Sequence, residues 1–439
     1  MTQTHTQPQH AKAAAAELLR GLDGILPGLR DLYKDLHAHP ELSFQEVRTA
    51  RIVAERMRAA GWDVTEGLGG PADLPGTGVV GVLRGGLDDA TEGPVILLRA
   101  DMDALPVREE TGLPYASTVT ATERDGTEVP VMHACGHDVH VACLLGATEL
   151  LAANRDAWGG TVIAVFQPAE EVGGAPHLIE DGFLDRFPRP EVCLGQHVGP
   201  APAGLVGTRP GAVMSACDTL RVRVFGRGGH GSMPEATIDP VVIAARTVVT
   251  LQTIVSREIS PSDAAVVTVG YMHAGAKANI IPAEARIDLS VRSLTPDVRA
   301  HLLKSIERIV KAEALAGGAT REPTIERIDG ANAMVNDADL TRRLAGVLER
   351  ELGKERVVDL PAQMASEDFS LFPQNGIPSV MLQIGSVEPD RFAAAKAAGT
   401  QLPSLHSPLF APDRERTIKT AIAAEMISLR ELMPPKTRP

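Results

Sequence analysis

His133-Ala134-Cys135-Gly136-His137-Asp138 and, farther along, Gln167-Pro168-Ala169-Glu170-Glu171 bring a thiol, several imidazoles and two adjoining carboxylates into one stretch of chain. A thiolate, an imidazole and a carboxylate together suit zinc or a similar first-row divalent ion. A second glutamate beside a ligand is what a metal-activated water needs as its proton acceptor. The chemistry these residue types point to is metal-dependent hydrolysis.

Cys135 and His137 stand two apart, just before a helix expected to begin near Val139. In that loop both side chains can converge on one ion, and the helix N-terminus favours an ionised thiol. His133, Asp138 and His140 fall in the same eight residues and strengthen the reading, although His133 and His140 equally suit a supporting or purely structural part. Glu170-Glu171 follow an expected strand over 161–166, and Pro168 turns the chain out of the sheet there, leaving both carboxylates in a strand-end loop. Neighbouring side chains diverge, so one can bind metal while the other faces the water. Asp101-Met102-Asp103 ends a further strand and Gln196-His197 another. Strand ends carrying Asp, Cys and His, Glu, and His describe one polar site along one sheet edge. His406, in Leu405-His406-Ser407-Pro408, is a distant further candidate. The glycine-rich run 226–234 lacks the lysine and helix start of a phosphate loop. Asn279 and Arg292 have no role that composition reveals, and the alternating strand around Arg292 already accounts for a surface arginine.

Positioning such residues requires an alternating α/β frame. Two helical stretches between about 11 and 60 flank His37-Ala38-His39-Pro40-Glu41, with Pro40 breaking the first and Ser43 and Glu46 forming a capping box for the second. Strands are expected over 77–84, 95–99, 161–166 and 191–196, with a helix over 139–152. Continuous apolar runs such as Val95-Ile96-Leu97-Leu98 imply strands covered on both faces, hence a three-layer α/β/α catalytic domain with a mixed sheet. After Gly211 the pattern changes to strict alternation over 220–224 and 286–292, with further strands at 265–273 and 324–328 and helices at 240–257 and 296–316. That is a smaller α+β layer. Beyond Gly330 the outer pattern resumes, with a strand over 380–384 and a helix over 418–432. The expected organisation is a catalytic domain in two parts, 1–212 and 327–439, with an inserted lid domain over 213–326.

At 439 residues, about two domains are expected. A composition of 44% hydrophobic and 23% charged residues excludes a disordered chain. With 3% aromatics and a formal net charge of -13, nucleic acid is excluded as a partner. The polar start, 1–10, lacks a secretory pattern, and no run reaches the roughly 18 apolar residues of a membrane span. Four scattered cysteines fit a reducing compartment, so the chain is expected to be cytoplasmic and without membrane contact.

Several separate motifs occur in order: 37–43, Arg99-Ala100-Asp101-Met102-Asp103-Ala104-Leu105-Pro106, 133–140, 167–171, Gly228-Gly229-His230, Asn279-Ile280-Ile281-Pro282, Ser366-Glu367-Asp368-Phe369 and 405–408. In these the chain resembles the dinuclear-metal amidohydrolases of the aminoacylase and hippurate hydrolase type. That metallopeptidase family also includes indole-acetyl-amino-acid hydrolases and related carboxypeptidases. The resemblance implies two divalent ions per subunit, with zinc, manganese, cobalt and nickel all tolerated by such ligands. It implies Cys135, His137, Glu171, His197 and His406 as ligands, Glu170 as the general acid/base, and Asp103 as the group orienting the site. Asp101 stands where related peptidases carry a ligating histidine, which leaves its role open. His230 and Asn279 match lid residues that reach the substrate, in some members across a dimer interface, and Arg292 can pair with a substrate carboxylate. The implied reaction cleaves an N-acyl or N-aroyl amino acid, and the implied assembly is a homodimer or higher homo-oligomer through the lid. A dipeptidase or carboxypeptidase with the same site, and an inactive metal-binding homologue, are the competing readings.

Overall fold

The structure, a computed structural model, describes residues 16–86 and 93–433. The polar start 1–10, and residues 11–15 where the first helical pattern begins, lie outside the described residues. Among the described residues, one compact unit comprises the chain up to Gly211, Asn336–Leu360 and the chain from Leu371 onward, and a second comprises Ala212–Val335 with Pro361–Ser370.

The first unit is built on an eight-stranded mixed sheet. Its strands are β1 (Asp63–Leu68), β2 (Gly78–Arg84), β3 (Val95–Asp101), β4 (Thr161–Gln167), β5 (Val192–Pro202), β6 (Val206–Thr208), β13 (Val357–Asp359) and β14 (Ser379–Val387). Their order is β1-β2-β4-β3-β5-β14-β6-β13, and β4, β3, β5 and β14 run parallel in the middle. β4 is buried along its whole length and β3 along all but its first residue, which is why each contains a continuous apolar run, 162–166 and 95–98 respectively.

One face of the sheet packs against α1 (Leu22–Ala38), α2 (Val47–Ala59), α3 (His137–Ala153), α6 (Ala338–Leu352) and α7 (Arg414–Leu432). Leu22, Leu29, Leu32 and Leu36 recur at spacings of seven, three and four and form the buried stripe of α1. α3 is buried on nearly every side, and Gly146 lies where it meets α1 and α7. A Cβ there would stand 2.5 Å from Ile422 Cδ1 and 2.7 Å from Leu29 Cδ1. The other face is covered as well, since Leu97, Ile163 and Val165 are wholly buried. The architecture is the three-layer α/β/α arrangement with a mixed sheet.

The capping box is not formed. Ser43 Oγ donates to Asp103 Oδ2 at 2.7 Å, and Glu46 makes no side-chain cap at the start of α2. The Glu41 carboxylate takes that role, accepting the N–H groups of Arg48 and Thr49 at 2.8 Å each. It reaches back across the turn with both oxygens, so Ser43 and Glu46 are free for partners elsewhere.

The second unit is an α+β layer. Its antiparallel sheet has the order β9 (Ala265–Ala274), β11 (Glu284–Ser293), β7 (Ala216–Phe225) and β12 (Thr324–Ala331). Leu220, Val222 and Val224 of β7 and Ile287, Leu289 and Val291 of β11 face α4 (Pro240–Thr253) and α5 (Pro296–Ala316), whose Ile243, Leu251, Ile306 and Val310 complete this core. The intervening positions carry charge, as in the Arg221–Asp288 pair at 3.3 Å. The expected boundaries put 361–370 in the outer domain, whereas in the structure it clusters with the second unit. There Val213 O accepts from Gln363 N at 2.9 Å and Ser215 N donates to Ala365 O at 2.8 Å. Among the described residues no helix is long and apolar enough to cross a membrane.

Candidate metal centre

Three adjacent parallel strands deliver the site. β3 ends at Asp101 with Asp103 just beyond, β4 leads into the turn bearing Glu170 and Glu171, and His197 lies on β5. The remaining groups come from the start of α3 and from a distant loop. α3 begins at His137, two residues before the expected Val139, because Gly136 takes φ 83 and turns the chain directly from Cys135 into the helix. A Cβ at Gly136 would also lie 2.5 Å from Val198 Cγ2, so only glycine fits. His406, itself at φ 64, donates its backbone N–H to Ala134 O at 2.9 Å, pinning its loop beside Cys135.

The candidate ligand atoms of Cys135, His137 and His197 lie within 4.8 Å of one another, and so do those of Cys135, Glu171 and His406. The Cys135 sulfur is common to both sets; it stands 3.5 Å from His197 Nε2. Glu171 Oε1 lies 3.3 Å from His406 Nε2 and 4.0 Å from His137 Nε2. Glu170 joins His137 and Glu171 within the same 4.8 Å limit. The ring orientations suit ligation, because His137 Nδ1 is 3.2 Å from Asp103 Oδ1 and His197 Nδ1 donates to Val198 O at 2.7 Å. Both Nε2 atoms are thereby turned towards Cys135 and its neighbours. His137 Nε2 is buried and, among the described residues, has no hydrogen-bond partner. The Cys135 and Glu171 side chains beside it raise the His406 imidazole to about 10, the mark of a site dense in negative groups. A buried lone-pair atom left open within such a potential fits a divalent cation.

Asp103 organises this site. Besides facing His137, its two oxygens accept the N–H groups of Glu170 and Glu171 at 3.1 Å each, and Ser43 bonds it as well. Replacement by asparagine removes one acceptor oxygen and the charge. We expect Asp103→Asn to weaken metal affinity or turnover by roughly 10- to 100-fold, read by metal titration beside steady-state kinetics.

Asp101 and His140 have a different part. Asp101, His137 and His140 also lie within 4.8 Å, but Asp101 is held by Arg99 Nη1 at 2.6 Å and by His140 Nδ1 at 2.6 Å. His140 Nε2 accepts the Val198 N–H at 3.0 Å, so Nδ1 carries the proton and the ring is neutral. Burial, opposed by Asp101, pushes its pKa down to about 4. With both nitrogens engaged, His140 cannot also ligate a metal. Burial favours a neutral Asp101, yet His137, Arg99 and His140 hold its carboxyl well below the usual range. Arg99, fully buried, is the group the sequence reading passed over; its position two before Asp101 on one strand, hence on the same face, is the signal that reveals it. His133 is buried with neither ring nitrogen hydrogen-bonded among the described residues, and burial lowers its pKa to about 4.

Behind the ligand helix, His37 of α1 bonds Asp138 Oδ2 at 2.7 Å and Glu109 Oε1 at 3.1 Å. Burial opposes a charge on this ring, but the two carboxylates outweigh it and raise the pKa to about 10. An unfolded histidine titrates near 6.5. The stabilisation is therefore full below about 6.5 and lost as pH rises through about 10. Thermal melts of wild type are expected to fall more steeply between pH 7 and 10 than those of His37→Gln, which starts lower by ~3–5 kcal/mol because Asp138 and Glu109 lose their partner. Parallel curves for the two proteins would remove His37 as the source.

Of the other expected site residues, His230 and Asn279 are neighbours within the second unit. β8 (Gly229–His230) pairs with β10 (Ile280–Ile281), and Gly231 N donates to Asn279 O at 2.9 Å. His230 Nδ1 accepts the Ser232 N–H at 3.1 Å, so its neutral ring presents an Nε2–H donor. Arg292 lies elsewhere in that unit, on β11, where Nη1 donates to Met364 O at 2.8 Å.

This constellation on an α/β/α sheet defines a hydrolase of the metallopeptidase class. The sequence profile of peptidase family M20/M25/M40 matches residues 97–404, and the chain belongs to that family. It is 40% identical over 359 residues to hippurate hydrolase of Campylobacter jejuni, covering 79% of this chain and 87% of the relative. It is 37% identical over 345 residues to thermostable carboxypeptidase 1 of Saccharolobus solfataricus, covering 78% and 81%. The Bacillus subtilis YXEP protein, described as a dinuclear metal binding peptidase of the M20 family, superposes with a TM-score of 0.72 at 29% identity, over 93% of this chain and 98% of that one. The chain is a hydrolytic enzyme acting on amides.

Proposed function

We propose that the substrate is an N-acyl or N-aroyl amino acid, cleaved to a carboxylic acid and a free amino acid. The observation that carries this reading is the gathering of Cys135, His137, Glu171, His197 and His406 beside Glu170 at the ends of parallel strands. Relatedness to a hippurate hydrolase supports the substrate class. Cys135, His137, Glu171, His197 and His406 would hold two divalent ions (Zn, Mn, Co or Ni), whose chemistry when bound would be Lewis acidity towards the carbonyl and the attacking water. Glu170 accepts the proton of the attacking water as its oxygen bonds to the carbonyl carbon, then returns that proton to the leaving nitrogen as the C–N bond breaks. Asp103 keeps Glu170 and His137 oriented throughout. We assign His230, Asn279 and Arg292 to substrate binding, with the Nε2–H of His230 suited to a developing oxyanion and Arg292 to a free carboxylate.

The metal-loaded protein assayed on hippurate, N-acetyl amino acids and dipeptides tests this by the ratios of kcat/KM. A preference for the acylated amino acids is expected. A preference for dipeptides would favour the second reading, a dipeptidase or carboxypeptidase, which relatedness to a thermostable carboxypeptidase supports. Bound metal with no turnover on any amide would identify an inactive homologue. We place the enzyme in the cytoplasm, which its four free cysteines favour. We also propose a homo-oligomer formed through the second unit, tested by light scattering.

A further inference from the structure

Glu46 is wholly buried at the first residue before α2, yet its carboxylate does nothing for that helix, whose free N–H groups are taken by Glu41. Its partners lie on two other elements. Oε2 accepts the Thr77 hydroxyl at 2.5 Å, and Oε1 accepts the backbone N–H of Ala169 at 2.8 Å. Among the described residues Ala169 is one of three non-glycine residues with positive φ, at 58°, and is itself buried. The left-handed conformation is unfavourable for an alanine, whose Cβ crowds the following carbonyl, so something must hold it. Gly174 N closes the turn from behind onto Ala169 O at 2.8 Å. The next two N–H groups, of Glu170 and Glu171, go to Asp103. Three consecutive N–H groups are thus held by two buried carboxylates, of which Asp103 takes the two belonging to the reactive residues and Glu46 takes the one at the strained residue ahead of them.

We propose that Glu46 is a positioning residue for the reaction: it fixes the left-handed peptide at Ala169 from which Glu170 is aimed. This rests on the reading of Glu170 as the proton acceptor. Removing the acceptor leaves a buried N–H without a partner and lets the turn relax towards ordinary α or β values, which displaces the Glu170 carboxylate. A displacement of about 1 Å in such a group costs on the order of 10²-fold in rate.

The experiment is a double-mutant cycle of Glu46→Ala and Glu170→Gln, assayed on hippurate at saturating manganese, with bound metal and Tm measured for each protein. Glu46→Ala alone is expected to lower kcat on the order of 10²-fold with KM little changed. In the Glu170→Gln background it should lower kcat no further, because the group it aims has already lost its function. Glu46→Gln, whose amide oxygen still accepts from Ala169 and whose amide nitrogen donates to Thr77, should recover most of the loss. Should Glu46→Ala fail to fold, Thr77→Val loosens the same carboxylate, and a smaller kcat loss that likewise vanishes on Glu170→Gln is expected. A full loss repeated on top of Glu170→Gln, or an unchanged kcat in Glu46→Ala, overturns the proposal. Undiminished turnover in Glu170→Gln by itself instead defeats the reading on which it rests, and Glu46 with it.

Discussion

Glu170→Gln is expected to lower kcat by roughly 10²- to 10⁴-fold while metal content and KM stay near their wild-type values. The amide keeps the size and hydrogen-bonding reach of the side chain but cannot take a proton from water. The backbone of Glu170 is fixed independently by Asp103 Oδ1 at 3.1 Å, so the substitution leaves the turn in place. The adjacent Glu171 still faces His406 at 3.3 Å, which is why metal should be retained. Steady-state kinetics with metal analysis on the same preparation decide the matter. Turnover equal to wild type would show that another group moves the proton.

Cys135→Ala is expected to have the broader effect, removing metal as well as activity. Its sulfur is the one ligand atom common to the set with His137 and His197 and to the set with Glu171 and His406. Losing it leaves two protein donors in each set, so both ions should be released. The deficit should exceed the roughly 10- to 100-fold that accompanies loss of a group merely orienting a ligand. His197→Ala, absent from the second set, is expected to cost mainly one ion. Ions bound per subunit, measured by mass spectrometry of the metal content, distinguish these outcomes; two ions retained in Cys135→Ala would refute the shared sulfur.

The extent to which the site was legible depended on how local each relationship is. The runs 95–98 and 162–166 are apolar throughout because both faces of β3 and β4 are covered, and that condition is written in the residues themselves. The strict alternation over 220–224 and 286–292 equally reflects one packed and one wet face. The short strands β6 and β13 carry no such signal, since three residues cannot establish a period, and their existence follows from pairing with each other and with β14. The capping box over Ser43 and Glu46 was a misleading local signal. Its residues fit the helix-start pattern, but Asp103, Thr77 and Ala169 offered buried donors and acceptors that outcompete a solvent-accessible cap.

Residue types and spacings alone were enough for the chemistry: a thiol and imidazole two apart, paired glutamates after a strand, and a second aspartate two beyond Asp101 point to a hydrolytic metal centre before any packing is known. Which histidines are open to metal depends on long-range packing. His137, His140 and His197 are equivalent as letters, yet the Val198 N–H closes His140 while His197 donates to the Val198 carbonyl and turns its other nitrogen towards Cys135. The tertiary structure likewise made Asp101 the buried partner of Arg99 and gave Glu46 to Ala169. The physical reason is that a side chain's role is set by which of its lone pairs and protons are already satisfied, and those partners come from strands and turns far apart along the chain.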